Sequence, residues 1–252
     1  MAFTQSPQVA SIVIEKATDK TAGVKPHIYT VGDSTIANNG SWAYVMARDY
    51  ATYSQLPDIA TFSNNGRGGK NLSTYYTGGE FIDRVLVNIR PGDYVMIGDM
   101  GTNGMGSAFE ASFNYYIDAC EAMGAKIILN SYSPHGAVKE YAKVYDSSTN
   151  TFTSYRQDDY DNIVRKIYAE RTTAEGDKYD ANIVGFVDIG KMADAAFNAY
   201  VNDYETNGYA SKDAAAQAII KCFSDHNHYS NGTIAAELMI KATVTVQMRK
   251  VS

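Results

Sequence analysis

The sequence predicts an α/β chain, a three-layer α/β/α sandwich around a five-stranded parallel sheet. Five short apolar runs recur along it: His27 to Val31, Ile59 to Phe62, Tyr94 to Gly98, Ala125 to Asn130 and Ile183 to Ile189. Helix-period segments lie between them, and parallel neighbours need a crossover that is normally helical. The third observation is size: 252 residues with 45% hydrophobic content can bury a large core without disulfide staples.

In chain order, Val9 to Lys16 reads as a short strand inside an N-terminal arm or linker of residues 1–26, and the domain proper runs over 27–252. After the first run, Trp42 to Tyr53 has helical spacing, as do Phe81 to Ile89 after the second and Ala108 to Met123 after the third. A helix from about Asp159 to Thr172 precedes the fifth run. Lys191 to Asn202, Ala210 to Cys222 and Asn231 to about Gln247 complete the helical set. The segment Val144 to Tyr155 breaks the regular order; Asp146-Ser147-Ser148-Thr149-Asn150 reads as the turn of a hairpin at the rim.

Charge and composition exclude several classes. Lys and Arg number 22 against 28 Asp and Glu, a net charge of −6 with no basic block, so nucleic acid is not an expected partner. No apolar run approaches the ~20 residues that cross a bilayer, so no membrane role is expected. The start, Met1 to Pro7, lacks a basic segment followed by an apolar one, so no signal peptide is read there. The two cysteines, Cys120 and Cys222, read as isolated buried thiols, with a disulfide between them left open. Tyrosine occurs 20 times against 9 Phe and 1 Trp, an excess of rings carrying a hydroxyl that needs water, a backbone partner or a polar ligand.

In open α/β sheets ligands bind beyond the carboxyl ends of the strands, so the loops after the runs are where chemistry is sought. The first reads Gly32-Asp33-Ser34-Thr35. A serine there is exposed at the ligand edge with free helix-start amides beside it, although Asp33 or Ser34 could equally be a plain helix cap. The second, Asn64-Asn65-Gly66-Arg67-Gly68-Gly69-Lys70, offers unshielded amides suited to an oxyanion but lacks phosphate-loop spacing. The third is Gly98-Asp99-Met100-Gly101-Thr102-Asn103-Gly104, where Asn103 could donate to an oxyanion or simply form a turn. Before the final helix, Asp225-His226-Asn227-His228 places an acid three residues ahead of a histidine, a spacing that lets Asp225 fix the His228 tautomer. The same cluster could hold a divalent metal, or serve only as a cap with surface histidines.

These four blocks, in this order, resemble those of the SGNH (GDSL-type) hydrolases, whose fold is a flavodoxin-like three-layer sandwich. The resemblance is closer to the rhamnogalacturonan acetylesterase branch, on Gly32-Asp33-Ser34-Thr35, Gly66-Arg67 and Asp225-His226-Asn227-His228. Pro91-Gly92-Asp93-Tyr94-Val95 and Gly124-Ala125-Lys126-Ile127-Ile128-Leu129 add to it, and it spans His27 to about Gln247. One departure is that Gly104, not aspartate, follows Asn103.

The resemblance implies a serine carbohydrate esterase that removes O-acetyl groups from plant cell-wall polysaccharide, pectic rhamnogalacturonan or xylan. Ser34, Asp225 and His228 would be catalytic. Ser34, Gly66 and Asn103 would form the oxyanion hole, with Gly68 an alternative to Gly66. Asp33, Arg67 and His135 would contact substrate. No metal or other cofactor is implied, the partner is an acetylated poly- or oligosaccharide, and the working place is extracellular, as a possible module of a larger secreted protein. The tyrosine excess would then line a polysaccharide cleft. Two rivals stand: a metal-dependent phosphoesterase with Asp33, Asp99, Asp225, His226 and His228 as ligands, and a carbohydrate-binding module without activity.

Overall fold

The computed structural model describes residues 24–52, 58, 60–100, 108–134, 145–152, 158–174, 176, 180–225, 228–229 and 232–243. Five strands, β1 (His27–Val31), β2 (Thr61–Asn64), β3 (Tyr94–Ile97), β4 (Lys126–Asn130) and β7 (Ile183–Val187), form one sheet in the order β2-β1-β3-β4-β7. Every pairing is parallel. This is the doubly wound order in which β1 and β3 flank the switch point, so the loops after them open the ligand crevice.

Alternating side chains divide the sheet between two cores. Ile28, Tyr94, Met96 and Ile128 face one, whereas Tyr29, Val31, Val95, Ile97, Ile127 and Leu129 face the other. On the first face pack α1 (Ser34–Ala37), α2 (Trp42–Arg48), α7 (Ile189–Asn202), α8 (Lys212–Ile220) and α9 (Ile234–Thr243). On the second pack α3 (Leu72–Thr77), α4 (Glu80–Arg84), α5 (Phe109–Ala122) and α6 (Asp158–Thr172). Near-continuous apolar strands are what a parallel sheet covered on both faces requires.

The expected elements are present with three instructive differences. Strand β2 lies two residues later than the run Ile59 to Phe62, because its register is set by pairing of His27 with Thr61 and Thr30 with Asn64. It is an edge strand, so polar Ser63 and Asn64 are tolerated in it. Helix α3 was not foreseen in a stretch rich in Thr and Tyr; Asn71 and Thr74 cap each other (Thr74 N–H to Asn71 Oδ1, 2.9 Å; Asn71 N–H to Thr74 Oγ1, 3.0 Å) while Leu72 and Tyr75 bury the other side. The single helix expected over Phe81 to Ile89 is α4 followed by a 3₁₀ turn, Leu86–Asn88.

The hairpin is present as β5 (Tyr145–Asp146) and β6 (Thr151–Phe152), paired antiparallel. It is clipped to α7: the Phe152 N–H donates to Asn198 Oδ1 (2.6 Å), and Asn198 Nδ2 donates back to the Phe152 carbonyl (3.1 Å). Of the arm, only Val24 to Pro26 fall within the described residues, and its expected strand lies outside them. Cys120 and Cys222 are free and buried in opposite cores, as isolated thiols. No described helix is long and apolar enough to cross a membrane.

Four of the tyrosines serve the core rather than a cleft. Tyr29, Tyr75, Tyr116 and Tyr160 are buried in the second core, with hydroxyls donating to the carbonyls of Asn88 (2.8 Å), Asn65 (2.8 Å), Leu72 (2.6 Å) and Asn130 (3.3 Å). Each ring contributes apolar area, and each hydroxyl satisfies a carbonyl at a strand or helix end. Burial pushes the Tyr75 phenol up to about 12.

Candidate active site

At the carboxyl end of β1 the chain turns from sheet into helix. Asp33 caps α1, its Oδ1 accepting from the Thr35 N–H (2.8 Å), and its own N–H donates to the Asp99 carbonyl at the end of β3 (2.8 Å). That leaves Ser34 as the first residue of α1, where amides have no intrahelical partner. Gly32 permits the turn: a Cβ there would lie 2.8 Å from the Gly98 carbonyl and 2.5 Å from Ile36 Cδ1. Tyr132, one residue past the β4 loop start, holds the turn from below through Thr35 Oγ1 (2.7 Å) and Asp33 Oδ2 (3.4 Å).

The histidine arrives from the far end of the chain. An antiparallel bridge between Phe223 and Tyr229 closes a short loop, and their rings lie 4.2 Å apart. Ser224 N–H donates to the His228 carbonyl (2.9 Å). Tyr229 is buried; its hydroxyl donates to the Pro134 carbonyl and its own carbonyl accepts from Gly40 N–H (2.9 Å), which moors the loop beside α1. Within the loop Asp225 accepts twice from His228: Oδ1 from the backbone N–H (2.9 Å), and Oδ2 opposite ring Nδ1 (2.7 Å). The other ring nitrogen, Nε2, lies 2.9 Å from Ser34 Oγ. The three residues named from sequence as catalytic thus form one hydrogen-bonded series across 194 positions of chain.

Two glycines of the second loop differ in placement. Gly66 donates its N–H to Asn64 Oδ1 (2.9 Å) and is pressed under α1, where a Cβ would lie 2.7 Å from Ile36 Cγ1 and 2.9 Å from the Ala37 nitrogen. Gly68, by contrast, borders the serine: the nearest atom to a Cβ built on it is Ser34 Cβ, at 3.9 Å. Of the two glycines offered by the sequence as oxyanion donors, Gly66 has its N–H engaged by Asn64, whereas Gly68 borders Ser34. Asn64 does the binding together here, with Nδ2 donating to the Ile36 carbonyl (2.6 Å). Sequence reasoning passed over it, and over Phe223, Tyr229 and Tyr132. The signal for the first three was position, at a strand end ahead of the glycine loop and flanking Asp225 to His228.

Asp33 also needs correction as a substrate contact. It is fully buried and engaged as a cap, so it supports the Ser34 turn from inside. Arg67 is at the surface, 3.1 Å from Glu80 Oε1, and stays accessible to a ligand. Asn103, His135 and His226 lie outside the described residues. Of the phosphoesterase set, His226 lies outside the described residues, Asp99 is buried and accepts from Ser133 N–H (2.5 Å) and Asn130 Nδ2 (3.2 Å), and Asp225 accepts from His228. Among the described residues no three His, Cys, Asp or Glu side chains group as metal ligands would. Burial, reinforced by Asp33 and Asp161 nearby, pushes the Asp99 carboxyl up to about 7.

Against known proteins, no family model matches the chain and no curated protein matches it. Solved structures do. The YXIM protein of Bacillus subtilis superposes with a TM-score of 0.59 at 19% identity over 87% of this chain. An acetyl xylan esterase, AlAXEase, gives 0.52 at 19% identity over 86% of this chain and 98% of its own. A variant of Axe2, an acetyl xylan esterase from Geobacillus stearothermophilus, gives 0.50 at 17% identity over 86% and 92%. The chain shares its three-layer α/β/α fold with these proteins. It spans 55% of the length of the Bacillus subtilis protein. At these identities the likeness is one of fold, and the chemistry of the site rests on its own residues.

Proposed function

We propose that the protein is a serine esterase that removes O-acetyl groups from plant cell-wall polysaccharide, pectic rhamnogalacturonan or xylan, outside the cell. The observation that carries this reading is the Ser34–His228–Asp225 series, with contacts of 2.9 and 2.7 Å. The fold shared with two acetyl xylan esterases supports the ester chemistry, and the sequence blocks that resemble the rhamnogalacturonan acetylesterases support the pectic alternative.

The residues account for each step. Ser34 Oγ attacks the acetyl carbonyl carbon as His228 Nε2 takes its proton, and Asp225 Oδ2 stabilises the imidazolium through Nδ1–H. The carbonyl oxygen, now anionic, sits between the Ser34 and Gly68 amides. Collapse expels the sugar hydroxyl, which takes the proton from Nε2, and leaves acetyl-Ser34. Water, deprotonated by the same nitrogen, then releases acetate. Asn103 is proposed as the third oxyanion donor; one such donor is worth about 3 kcal/mol, or about 10²- to 10³-fold in rate.

Hydrolysis of p-nitrophenyl acetate with and without a serine-reactive inhibitor tests the reading. Turnover abolished by the inhibitor and insensitive to a chelator is the expected result; the opposite pattern would hand the site to metal chemistry. Acetate release from acetylated pectin and acetylated xylan then decides between the two polymers.

A further inference from the structure

Asp99 carries two penalties that the Ser34 chemistry does not itself require. Its backbone stands at φ +53°, where glycine is the less strained residue, and its carboxyl is buried, with 1% of the residue exposed. Acids face it, Asp33 on the loop after β1 and Asp161 on α6, and the phenols of Tyr132, Tyr160 and Tyr229 close the layer around it. A residue held under both penalties needs compensating bonds, and these run to both halves of the site.

The Asp99 carbonyl accepts from the Asp33 N–H (2.8 Å), one residue before Ser34. Its carboxyl accepts from the Ser133 N–H (2.5 Å) and from Asn130 Nδ2 (3.2 Å), both at the carboxyl end of β4. Pro134, the next residue, offers the carbonyl to which Tyr229, the neighbour of His228, donates its hydroxyl. The frame between Ser34 and His228 therefore passes through the Asp99 side chain. The Ser133 hydroxyl also bonds that carboxyl, and it accepts from the Trp42 indole N–H (3.0 Å). Trp42 is the single tryptophan of the chain and is buried.

We infer that Asp99 is a positioning residue for the proposed reaction: its neutral carboxyl ties the Ser34 turn to the mooring of the His228 loop, and its ionisation slackens that tie and sets an alkaline limit on turnover. This role rests on the proposed esterase function and adds to it a residue that touches no substrate. An anion at this place stands near Asp33 and Asp161 and away from water, so it is drawn toward solvent and takes Ser133, Pro134 and Tyr229 with it. Burial pushes this carboxyl up to about 7, against the downward pull of the Ser133 bonds.

The test follows two signals from about pH 5 to about pH 9: kcat for p-nitrophenyl acetate, less its spontaneous hydrolysis, and Trp42 emission. In the wild type kcat should fall on the alkaline side, and emission should change, with one shared midpoint near 7. Asp99→Ala should lower kcat about 10²-fold at every pH with KM unchanged, the scale of a displacement of about 1 Å. Asp99→Asn cannot ionise; it should recover most of that loss and remove both the alkaline fall and the emission change. A merely structural role would not give the two signals a common midpoint that this one substitution abolishes. An alkaline fall that persists in Asp99→Asn, or a wild-type kcat that holds across the range, would overturn the positioning role and leave the esterase intact. No cleavage at any pH would overturn the function and this role with it. If Asp99→Ala does not fold, the wild-type and Asp99→Asn profiles decide the matter alone.

Discussion

The loop that carries Ser34 and the loop that carries His228 meet at 2.9 Å, yet they are held in opposite ways. The serine turn grows out of the sheet. Asp33 beneath it has no exposed surface, its amide is bonded to the end of β3, and Tyr132, Asp99, Asn130 and Ser133 form a buried polar layer below. The histidine loop is closed by the Phe223–Tyr229 bridge and moored at one end through Tyr229, and the Asp225 side chain is 48% exposed. Ser34 is placed by tertiary structure, whereas Asp225 and His228 are held to each other by local bonds within four residues. Substitutions in the buried frame beneath Ser34 should therefore register in stability as well as rate, and those in the second loop mainly in rate.

The largest expected effects are on turnover and bear on both loops at once. Ser34→Ala and His228→Ala should each lower kcat on p-nitrophenyl acetate by about 10⁴- to 10⁶-fold, because members of such a series act as a unit. Neither should shift unfolding by more than about 1 kcal/mol in a denaturant titration. Near-normal turnover in either variant would break the assignment. Asp225→Asn isolates the second loop. The amide keeps the Oδ1 acceptor for the His228 N–H but cannot stabilise the imidazolium, so kcat should fall by about 10³- to 10⁴-fold. With the side chain half in water, the unfolding midpoint should barely move. A large loss of stability there would show that the loop is more deeply built in than its bonds indicate.

The first loop is sharpened by pH. Asp99, buried under the serine turn, titrates near 7 when folded and near 3.8 when unfolded, so the folded state retains a proton that the unfolded chain has released. Its contribution is therefore stabilising at low pH and lost as pH rises from about 4 to about 7, by at most about 4 kcal/mol. Asp99→Asn should flatten that slope in chemical denaturation measured at pH 5 and pH 8. Asparagine suits the backbone there, where φ is +53°, and can still accept from Ser133 N–H. An unchanged slope would remove Asp99 from the pH response.

Much of this was legible in the sequence where one residue's chemistry is read by its position along the chain. The strand runs of a covered parallel sheet are apolar on both faces, so β1, β3, β4 and β7 stood out. The edge strand β2 was read two residues early, as Ile59 to Phe62, because Ser63 and Asn64 are polar and only pairing with β1 fixes its register. Ser34, Asp225 and His228 were legible because two of them share a loop and the third sits at a strand end. What was not legible depended on who already holds a donor. The Gly66 amide looks free in sequence and is taken by Asn64, and the tyrosine hydroxyls that suggested a sugar cleft are taken by carbonyls such as those of Asn65 and Leu72.

The two glycines of the second loop carry the contrast between buried frame and open site down to a distance of two residues. Neither has a positive φ, so alanine differs from glycine at these positions mainly by its methyl group. At Gly66 that methyl would meet Ile36 Cγ1 at 2.7 Å, Ala37 N at 2.9 Å and the Asp33 carbonyl at 3.1 Å, two of them backbone atoms of the serine turn that cannot step aside. Gly66→Ala should cost about 1–3 kcal/mol in stability and displace α1, lowering activity with it. At Gly68 the nearest neighbour is Ser34 Cβ at 3.9 Å, an ordinary contact. Gly68→Ala should leave stability unchanged or raise it by about 0.4–1 kcal/mol through the unfolded chain, and its amide is retained. Thermal melts of the pair decide: equal losses would mean that the loop is rigid throughout, whereas a loss confined to Gly66 would mean that the frame ends at that residue and the substrate-facing surface begins at Gly68.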